Sequence, residues 1–427
     1  MSFNDTLKWL YSFQRFGIKL GLERISYISK ELGNPHKKYK VIHVGGTNGK
    51  GSVCMLLESI LTNAGYKVGV YTSPHLQHIS ERIAIGKNRI SEDDLVSLVN
   101  KVKPIVNQMV KNNKDPTFFE IITAMAFHYF SCKNVDFAII EVGLGGRYDA
   151  TNIVDSTIII ITNVSLEHQN ILGKNIKDIA FEKAGLIKKN IPVITAAKGD
   201  SLNIIEKVAK KRDLSIYKID TKKWKRINHN QSIQEFIIKG ILKDYSVRTQ
   251  MLGKYQGENI ALAIAAIENL QMNGIYITDL NILNGVEKAF NPGRMEIICY
   301  KPILLLDGAH NTAGMESLCN SIRNDFYFNK LIVILGILSD KDIPSMLSII
   351  IPLANVIITT KSNISRACEP FALKEMITKL DKKKEVIIKE KIIDAIEFAK
   401  TIAEESDIIC ITGSLYIVGR ARDYLVS

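Results

Sequence analysis

The sequence lacks the long apolar runs that a helical membrane protein requires. No stretch of about 18 consecutive apolar residues occurs in its 427 positions. The first residues, from Asn4 to Leu10, have the pattern of a capped amphipathic helix, which a secretory signal peptide does not show. We therefore expect a cytoplasmic protein with no membrane partner.

Closely spaced cysteines, internal repeats and low-complexity segments are also missing. The six cysteines are far apart and form no C-x-x-C pair, which is typical of reduced, mostly buried thiols in the cytosol. Their positions are Cys54, Cys132, Cys299, Cys319, Cys368 and Cys410. At 427 residues the chain is too long for one ordinary core, so we expect two or three domains.

Positive charge exceeds negative charge, but it is not concentrated. Lys and Arg number 56 against 44 Asp and Glu, a formal net charge of +12. The densest basic run is only Lys382–Lys384, and no nucleic-acid-binding motif is present. The excess therefore favours small anionic ligands such as nucleotides or polycarboxylates, and we expect no nucleic-acid partner.

The strongest local signal is the glycine-rich segment from residue 43 to residue 52, HVGGTNGKGS. A β-prone segment precedes it and an apolar segment with helical spacing follows, which is the strand–turn–helix context of a phosphate-binding loop. Loop amides and the helix N-terminus would surround phosphate, Lys50 would reach the β- and γ-phosphates, and Ser52 would offer a hydroxyl to Mg²⁺. The segment departs from the common P-loop pattern, since Val44 replaces the first glycine and Gly51 separates Lys50 from Ser52.

Polar residues follow several further predicted strands of the first half. Ser73 comes after the strand at 67–71, Glu141 ends the apolar strand that begins at Phe137, and His168 follows the strand at 156–163. The carboxyl ends of parallel strands share one sheet edge, and a strand-end carboxylate near a P-loop typically reaches Mg²⁺. Lys183 lies in a predicted helix with apolar neighbours.

A second alternation of strands and helices starts after Pro292-Gly293, which we interpret as a domain boundary. Five crossover-linked strands predict a doubly wound sheet there. They are expected at 303–307, 331–335, 355–359, 385–388 and 407–411. The overall prediction is an α/β protein with a P-loop-containing mononucleotide-binding domain (1–293) followed by a smaller Rossmann-like doubly wound domain (294–427).

Six motifs, in order, resemble the folylpolyglutamate synthase/dihydrofolate synthase family of the Mur ligase superfamily, nearly from end to end. The Lys-Gly-Ser variant of the P-loop is itself that family's form. The motifs are Gly46–Ser52, Thr72–Leu76, Glu141–Arg147, Glu182–Gly185, Pro292–Glu296 and Asp307–Asn311.

The resemblance implies an ATP-dependent amide ligase that adds L-glutamate to dihydropteroate or to a reduced folate through an acyl phosphate. It assigns the nucleotide to Gly46, Thr47, Asn48, Gly49, Lys50, Gly51, Ser52, Asn259, Arg294 and Asp307. It assigns two Mg²⁺ sites to Ser52, Ser73, Glu141 and His168. The catalytic residues it implies are Lys50, Lys183 as a carbamate, and His310 and Ser414 near the acyl phosphate and the incoming glutamate.

We expect a monomer. Its nucleotide residues divide between the two halves, on either side of Pro292-Gly293, so we expect the two domains to meet across a cleft and close over the nucleotide, which would keep water from the acyl phosphate. The residues themselves offer no Ser-His-Asp or Cys-His set, so covalent catalysis by the protein is not indicated. The sequence does not distinguish dihydropteroate from a reduced folate as acceptor.

Three other functions share parts of this pattern. A cell-wall ligase of the same superfamily usually carries a further N-terminal uridine-nucleotide domain, for which the residues before the loop leave no room. A P-loop GTPase or switch protein would need an N-K-x-D guanine motif, which is absent. A nucleic-acid-binding protein is suggested only by the net charge.

Overall fold

A computed structural model describes residues 2–426. They form two compact units, and segments of the middle of the chain alternate between them. The first unit contains the chain up to Lys225, Phe236–Arg248 and Gly257–Ala289. The second contains Arg226–Glu235, Thr249–Gln256 and the chain from Phe290 onward. The division into domains at residue 293, and their closure over a nucleotide, stay predictions.

The described residues contain seventeen strands. They are β1 (Lys40–Gly45), β2 (Val68–Tyr71), β3 (Ile83–Ile85), β4 (Asn88–Arg89), β5 (Phe137–Glu141), β6 (Ser156–Ile161), β7 (Val193–Thr195), β8 (Ile216–Lys218), β9 (Trp224–His229), β10 (Gln234–Lys239), β11 (Asp244–Thr249), β12 (Glu296–Tyr300), β13 (Ile303–Leu306), β14 (Leu331–Leu335), β15 (Val356–Thr359), β16 (Glu385–Ile388) and β17 (Ile408–Thr412).

Fifteen α-helices occur in the same part of the chain, and none of them is long and apolar enough to cross a membrane. They are α1 (Phe3–Ser12), α2 (Glu23–Glu31), α3 (Lys50–Asn63), α4 (Glu92–Lys111), α5 (Phe118–Cys132), α6 (Gln169–Leu172), α7 (Ile176–Lys183), α8 (Gly199–Lys210), α9 (Gln256–Met272), α10 (Asp279–Lys288), α11 (Thr312–Asp325), α12 (Ile343–Ile350), α13 (Pro370–Leu380), α14 (Ile392–Ile402) and α15 (Leu415–Val426).

The first unit is built on an eight-stranded sheet of order β4-β3-β2-β5-β1-β6-β7-β8. The six strands from β2 to β8 in this order run parallel, and β3 and β4 add an antiparallel edge. Its central strands β1, β5 and β6 are almost entirely buried. Their continuous Val and Ile runs are typical of strands covered by helices on both faces.

Local sequence signals position the helices that cover this sheet. In α5, Thr117 accepts a hydrogen bond from Glu120 N, and the Glu120 carboxylate accepts one from Thr117 N. This reciprocal capping box fixes where the helix begins. A large core packs α1, α2, α4 and α5 against one sheet face, and a smaller one includes the buried side chains of α8.

The second unit contains a six-stranded sheet of order β12-β13-β17-β14-β15-β16. Strands β13 to β17 run parallel, as the doubly wound prediction requires, and β12 pairs antiparallel with β13 at the edge. All five predicted strands are present, within one residue at each end. Strands β9, β10 and β11 form a separate three-stranded sheet, of order β11-β10-β9, between residues 224 and 249.

Candidate active site

The glycine-rich segment forms a tight loop between β1 and α3, as predicted. Gly46 and Gly49 have φ angles of 130° and 85°, in the region that favours glycine. A Cβ on Gly46 would lie 1.9 Å from Thr162 Oγ1, and one on Gly49 would lie 2.4 Å from Asn259 Oδ1. The loop therefore depends on glycine both for its backbone conformation and for its close packing.

The end of β6 holds the loop in place from one side. Asn163 accepts from two loop amides, through its carbonyl oxygen from Thr47 N (2.8 Å) and through Oδ1 from Asn48 N (2.9 Å). Thr162 Oγ1 donates to the carbonyl oxygen of Asn48 at 2.7 Å. These bonds make the loop a preorganised element, with its shape fixed by the neighbouring strand.

Lys50 is the first residue of α3 and its side chain turns back over the loop. Its Nζ donates to the carbonyl oxygens of Gly46 (3.1 Å) and Thr47 (2.9 Å). The first intrahelical backbone bond runs from Val53 N to Gly49 O, so the amides of residues 50–52 lie before it. A cationic group and a helix N-terminus thus meet at the loop, which is the arrangement that binds phosphate in proteins.

The sheet order brings Glu141 and Ser73 to the same edge as this loop. Strands β2, β5 and β1 are adjacent, and Glu141 is paired in register with Val44. Ser73 N donates to Glu141 Oε2 at 3.0 Å. Glu141 and Ser52 are both buried, with 5% of each residue exposed. The predicted proximity of Ser73 and Glu141 is therefore present in the structure.

Lys183, at the end of α7, is the most deeply buried charged side chain of the site, with 1% of the residue exposed. Its Nζ donates to the carbonyl oxygen of Gly46 at 2.8 Å and to Glu167 Oε1 at 2.6 Å. Burial lowers the pKa of Lys183, although Glu167 opposes that shift. Burial alone would raise the pKa of Glu167, but Lys183 and Lys50 outweigh it and hold the pKa at about 2.

His168 lies in the segment after β6, as expected, but on the surface. It is exposed, precedes α6 and has a φ angle of 47°. Across residues 2–426, no three His, Cys, Asp or Glu side chains are grouped so as to hold a metal ion. Mg²⁺ usually binds through one or two carboxylates, substrate phosphates and water, so a protein-only cluster is not required. The assignments of Ser52, Ser73, Glu141 and His168 to metal stay predictions.

Asn259, on α9, packs against the loop at Gly49, so closely that its Oδ1 lies 2.4 Å from where a Cβ on that glycine would be. The contact is within the first unit. It places an amide side chain beside the loop, at the residue for which we predicted a nucleotide contact.

The remaining predicted residues belong to the second unit, where Asp307 and His310 follow β13, Ser414 follows β17 and Arg294 precedes β12. The buried Asp307 carboxylate accepts from Met295 N and Ala309 N, both at 2.9 Å. Burial raises the pKa of Asp307, while the Arg294 guanidinium partly offsets the shift. Arg294 Nη1 and His310 Nδ1 both lie within hydrogen-bond distance of the Gly308 carbonyl oxygen, at 3.1 Å and 2.8 Å.

Ser414 is close to these residues along the sheet. It follows β17, which is the neighbour of β13, and Gly413 N donates to the carbonyl oxygen of Ala309 at 3.1 Å. Ser414 Oγ accepts from Tyr416 N at 3.2 Å, in the first turn of α15. A cavity of about 260 Å³ lies beside Arg294 in the same unit, with Met251, Leu252 and Phe290 in its lining.

Sequence reasoning did not assign a role to Glu167 or Asn163. Both lie in the stretch after β6 from which only His168 was selected. The buried Lys183 could have signalled a missing partner, since a buried ammonium is almost always paired. Nothing in the sequence, however, identifies the carboxylate sixteen residues earlier as that partner.

Comparison with known protein families gives two matches. The "Mur ligase middle domain" family matches residues 44–267, and the "Mur ligase, glutamate ligase domain" family matches residues 293–415. The first match contains the loop, Glu141, Lys183 and Asn259. The second contains Arg294, Asp307, His310 and Ser414.

Individual relatives match over nearly their whole length. A Bacillus subtilis protein named dihydrofolate synthase/folylpolyglutamate synthase is 35% identical, and the alignment covers 99% of each chain. The structure of Mycobacterium tuberculosis folylpolyglutamate synthase complexed with ADP is 28% identical with a TM-score of 0.93, covering 100% of this chain and 99% of that one. The structure of E. coli FolC in complex with DHPP and ADP is 28% identical with a TM-score of 0.88, covering 99% and 97%.

Proposed function

Because the chain belongs to the dihydrofolate synthase/folylpolyglutamate synthase family of Mur ligases, we propose that it is an ATP-dependent ligase that adds L-glutamate to folates. The acceptor is dihydropteroate, a reduced folate or a folate polyglutamate. The observation that carries the proposal is the P-loop of Gly46–Ser52 with Glu141 on the adjacent strand. Two relatives with this fold have been solved with ADP, which supports ATP as the nucleotide.

ATP binds with its phosphates against the loop and the start of α3. Lys50 leaves the carbonyl oxygens of Gly46 and Thr47 and turns to the β- and γ-phosphates. The ammonium group offsets negative charge that spreads over the transferred phosphoryl group, which is the main requirement of this chemistry. Asn259, Arg294 and Asp307 are the further nucleotide contacts that we propose.

The oxygen donors near the loop fit Mg²⁺ chemically. Ser52 offers a hydroxyl, and Glu141 offers a carboxylate that Ser73 N orients at 3.0 Å. Both are hard ligands of the kind that Mg²⁺ prefers. We assign a first Mg²⁺ to Ser52 and Glu141, and a second to Ser73, Glu141 and His168. When bound, Mg²⁺ neutralises phosphate charge.

The reaction has two steps. An oxygen of the acceptor carboxylate attacks the γ-phosphorus, the bond to the β-phosphate oxygen breaks, and an acyl phosphate and ADP result. The glutamate amine then attacks the acyl carbon, loses a proton and displaces inorganic phosphate, which takes the acceptor's oxygen with it. No side chain becomes covalently attached, which agrees with the absence of a nucleophile–base pair in the sequence.

In the second unit, we assign His310 and Ser414 to the incoming glutamate and the acyl phosphate. They follow neighbouring parallel strands, β13 and β17, at the carboxyl edge where open α/β sheets bind ligands. The His310 ring is oriented by its Nδ1, which lies 2.8 Å from the Gly308 carbonyl oxygen.

We also propose that Lys183 becomes carbamylated. A neutral amine attacks CO₂, a C–N bond forms and a proton is released. The burial that lowers the pKa of Lys183 favours the neutral amine that this step needs. Because a carbamate is anionic, the ion pair that Lys183 now forms with Glu167 at 2.6 Å would be replaced by repulsion between two negative groups.

Product formation tests the proposed function directly. The purified protein is incubated with ATP, glutamate and either dihydropteroate or tetrahydrofolate, and the new amide is measured by mass spectrometry. We expect one ADP per amide with at least one acceptor. ATP turnover that does not depend on glutamate or on a pterin acceptor would contradict the proposal. A monomeric state, a cytoplasmic location and the absence of nucleic-acid binding stay predictions.

A further inference from the structure

Arg82 is a buried arginine without an acidic partner. Among residues 2–426, the buried basic residues of the lysine and arginine type are Lys183 and Arg82, with 1% and 8% of each residue exposed. Lys183 is paired with Glu167. No carboxylate of the described residues lies within ion-pair distance of Arg82. Since a buried charge is ordinarily paired, this exception requires an explanation.

The contacts that Arg82 does make leave its outer nitrogens available. Nε donates to His75 Nδ1 at 2.9 Å, and the guanidinium carbon lies 5.3 Å from the centre of the Phe118 ring. His75 supplies no negative charge, and the aromatic ring covers one side of the cation. The two Nη groups make no hydrogen bond with the described residues and are not sealed from solvent. The side chain is therefore held by Nε and by the ring, with its bidentate edge unused.

The adjacent carboxylate is not a substitute partner. Glu81 accepts from Leu76 N at 2.7 Å and from His78 N at 3.1 Å, and it also lies 3.2 Å from Arg89. These bonds close the turn before β3 and use both carboxylate oxygens. Glu81 thus shapes the loop that presents Arg82, while its charge is directed elsewhere.

The position of Arg82 relates it to the reaction site. Its carbonyl oxygen accepts from Thr72 N at 3.1 Å, so Arg82 is paired across from the residue that precedes Ser73. Ser73 N in turn donates to Glu141 Oε2. Arg82 therefore lies beside the segment that contains Ser73, the residue whose amide bonds Glu141. This segment follows β2 at the sheet edge where the P-loop lies.

We propose that the Nη edge of Arg82 binds a carboxylate of the acceptor substrate. The inference rests on the proposed function, which makes the acceptor a carboxylate-bearing pterin compound. A guanidinium that is fixed by a ring and by Nε presents two parallel N–H groups, the geometry that matches a carboxylate. The bound group is either the carboxylate that reacts or, in a folate, the neighbouring α-carboxylate.

The test compares ligands that differ only in this charge. Dissociation constants are measured in the presence of ADP for dihydropteroate and for the same molecule with a carboxamide in place of the carboxylate. For the unaltered protein we expect the carboxylate to bind roughly 10- to 100-fold more tightly, the range for charge-assisted hydrogen bonds. In Arg82→Gln the ratio of the dissociation constant of the carboxamide to that of dihydropteroate should fall to near one, while the carboxamide binds about as before.

Two further variants separate binding from folding. Arg82→Lys keeps the charge without the bidentate edge and should give an intermediate ratio, which is informative even if Arg82→Gln does not fold. Arg89→Gln removes a nearby exposed arginine that pairs with Glu81 and should leave the ratio unchanged. The proposal would be overturned if both Arg82 variants left the preference for carboxylate over carboxamide unchanged for dihydropteroate and for tetrahydrofolate alike, or if they weakened the carboxylate and the carboxamide equally.

A second pair of ligands identifies which carboxylate is bound. Tetrahydrofolate is compared with its α-carboxamide and its γ-carboxamide. If Arg82 binds the reacting group, Arg82→Gln should abolish the loss of affinity that the γ-carboxamide shows relative to tetrahydrofolate. If Arg82 binds the neighbouring group, the same variant should instead abolish the loss of affinity shown by the α-carboxamide. Because these are binding measurements, their failure differs from a failure of the proposed function, in which the unaltered protein forms no glutamylated product from any acceptor.

Discussion

The ammonium group of Lys183 lies 2.6 Å from Glu167 Oε1 and 2.8 Å from the carbonyl oxygen of Gly46. One side chain thus joins α7, the segment after β6 and the first residue of the phosphate-binding loop. Because the pair is buried, it both stabilises the loop and sets the chemical state of the lysine. Two predictions depend on this relationship.

The first concerns carbamylation of Lys183. With ¹³C-labelled bicarbonate, we expect a carbamate signal by ¹³C NMR that is absent from Lys183→Ala. Lys188→Ala should retain the signal, although burial lowers the pKa of Lys188 as well. Ligase activity of Lys183→Ala should be severely reduced and partly restored by short carboxylates. An active protein whose Lys183 amine is unmodified would refute this prediction.

The second concerns Glu167→Gln and pH. The pKa of Glu167 is lowered from 4.5 to about 2, since the attraction of Lys183 and Lys50 exceeds the opposing effect of burial. Its stabilisation is therefore complete above the unfolded pKa and is lost as the pH falls toward the folded one. In protein kept free of CO₂, in which Lys183 is an unmodified ammonium, the variant should lose about 3 kcal/mol of unfolding free energy near neutral pH, as for other broken buried pairs.

Chemical denaturation from about pH 6 to about pH 3 measures this difference. The difference in unfolding free energy between the unaltered protein and Glu167→Gln should become smaller as the pH falls. Glu206→Gln, which removes a surface carboxylate paired with Lys218, is the matched control and should show almost no gap at any pH. A gap that stays constant would mean that ionisation of Glu167 does not stabilise the fold.

Lys50→Ala should abolish ligation while leaving the fold intact. Lys50 bonds only loop carbonyls among the described residues, so its loss removes little packing. We expect at least about a 100-fold drop in the rate at saturating ATP, comparable to the removal of a key transition-state donor elsewhere. Lys177→Ala, an exposed lysine of α7, is the control. Near-normal turnover of Lys50→Ala would contradict the P-loop assignment.

Comparing Gly46→Ala with Gly33→Ala separates the destabilisation caused by close packing from that caused by backbone strain. The new Cβ would lie 1.9 Å from Thr162 Oγ1 and 2.9 Å from Thr162 N, and the backbone atom cannot easily move away. Gly33 also has a positive φ angle, of 80°, but a Cβ there would meet nothing within 4 Å. Urea denaturation should show Gly46→Ala about 2 kcal/mol less stable than Gly33→Ala. Equal losses would mean that the loop tolerates the added atom.

The grouping of residues at the carboxyl ends of the parallel strands could be predicted from the sequence, because the strands themselves appear as apolar runs. Apolar segments such as Ile158–Ile161 and Leu331–Leu335 have the length and the β-branched content of buried parallel strands. Parallel strands then place their carboxyl ends together, which is why Ser73 and Glu141 could be expected beside the loop. The antiparallel edge strands β3 and β4 were not predicted, since they are too short to show a pattern.

The ion pairs of the site could not be predicted in the same way. Lys183 finds Glu167 only through the packing of α7 against the segment after β6, which no local spacing encodes. Arg82 was visible in the sequence beside Glu81, and such neighbours suggest an exposed charged pair. The structure shows instead that Glu81 caps a turn and that Arg82 is buried without a carboxylate.

Conversion of the acceptor carboxylate to an acyl phosphate is the step on which the proposed reaction depends. The most direct test uses dihydropteroate or tetrahydrofolate with ¹⁸O in the reacting carboxylate, together with ATP and glutamate. We expect each amide formed to release one inorganic phosphate carrying a single ¹⁸O atom, with ADP as the other product. Amide formation with unlabelled phosphate, or with ¹⁸O recovered in AMP, would contradict the proposed step.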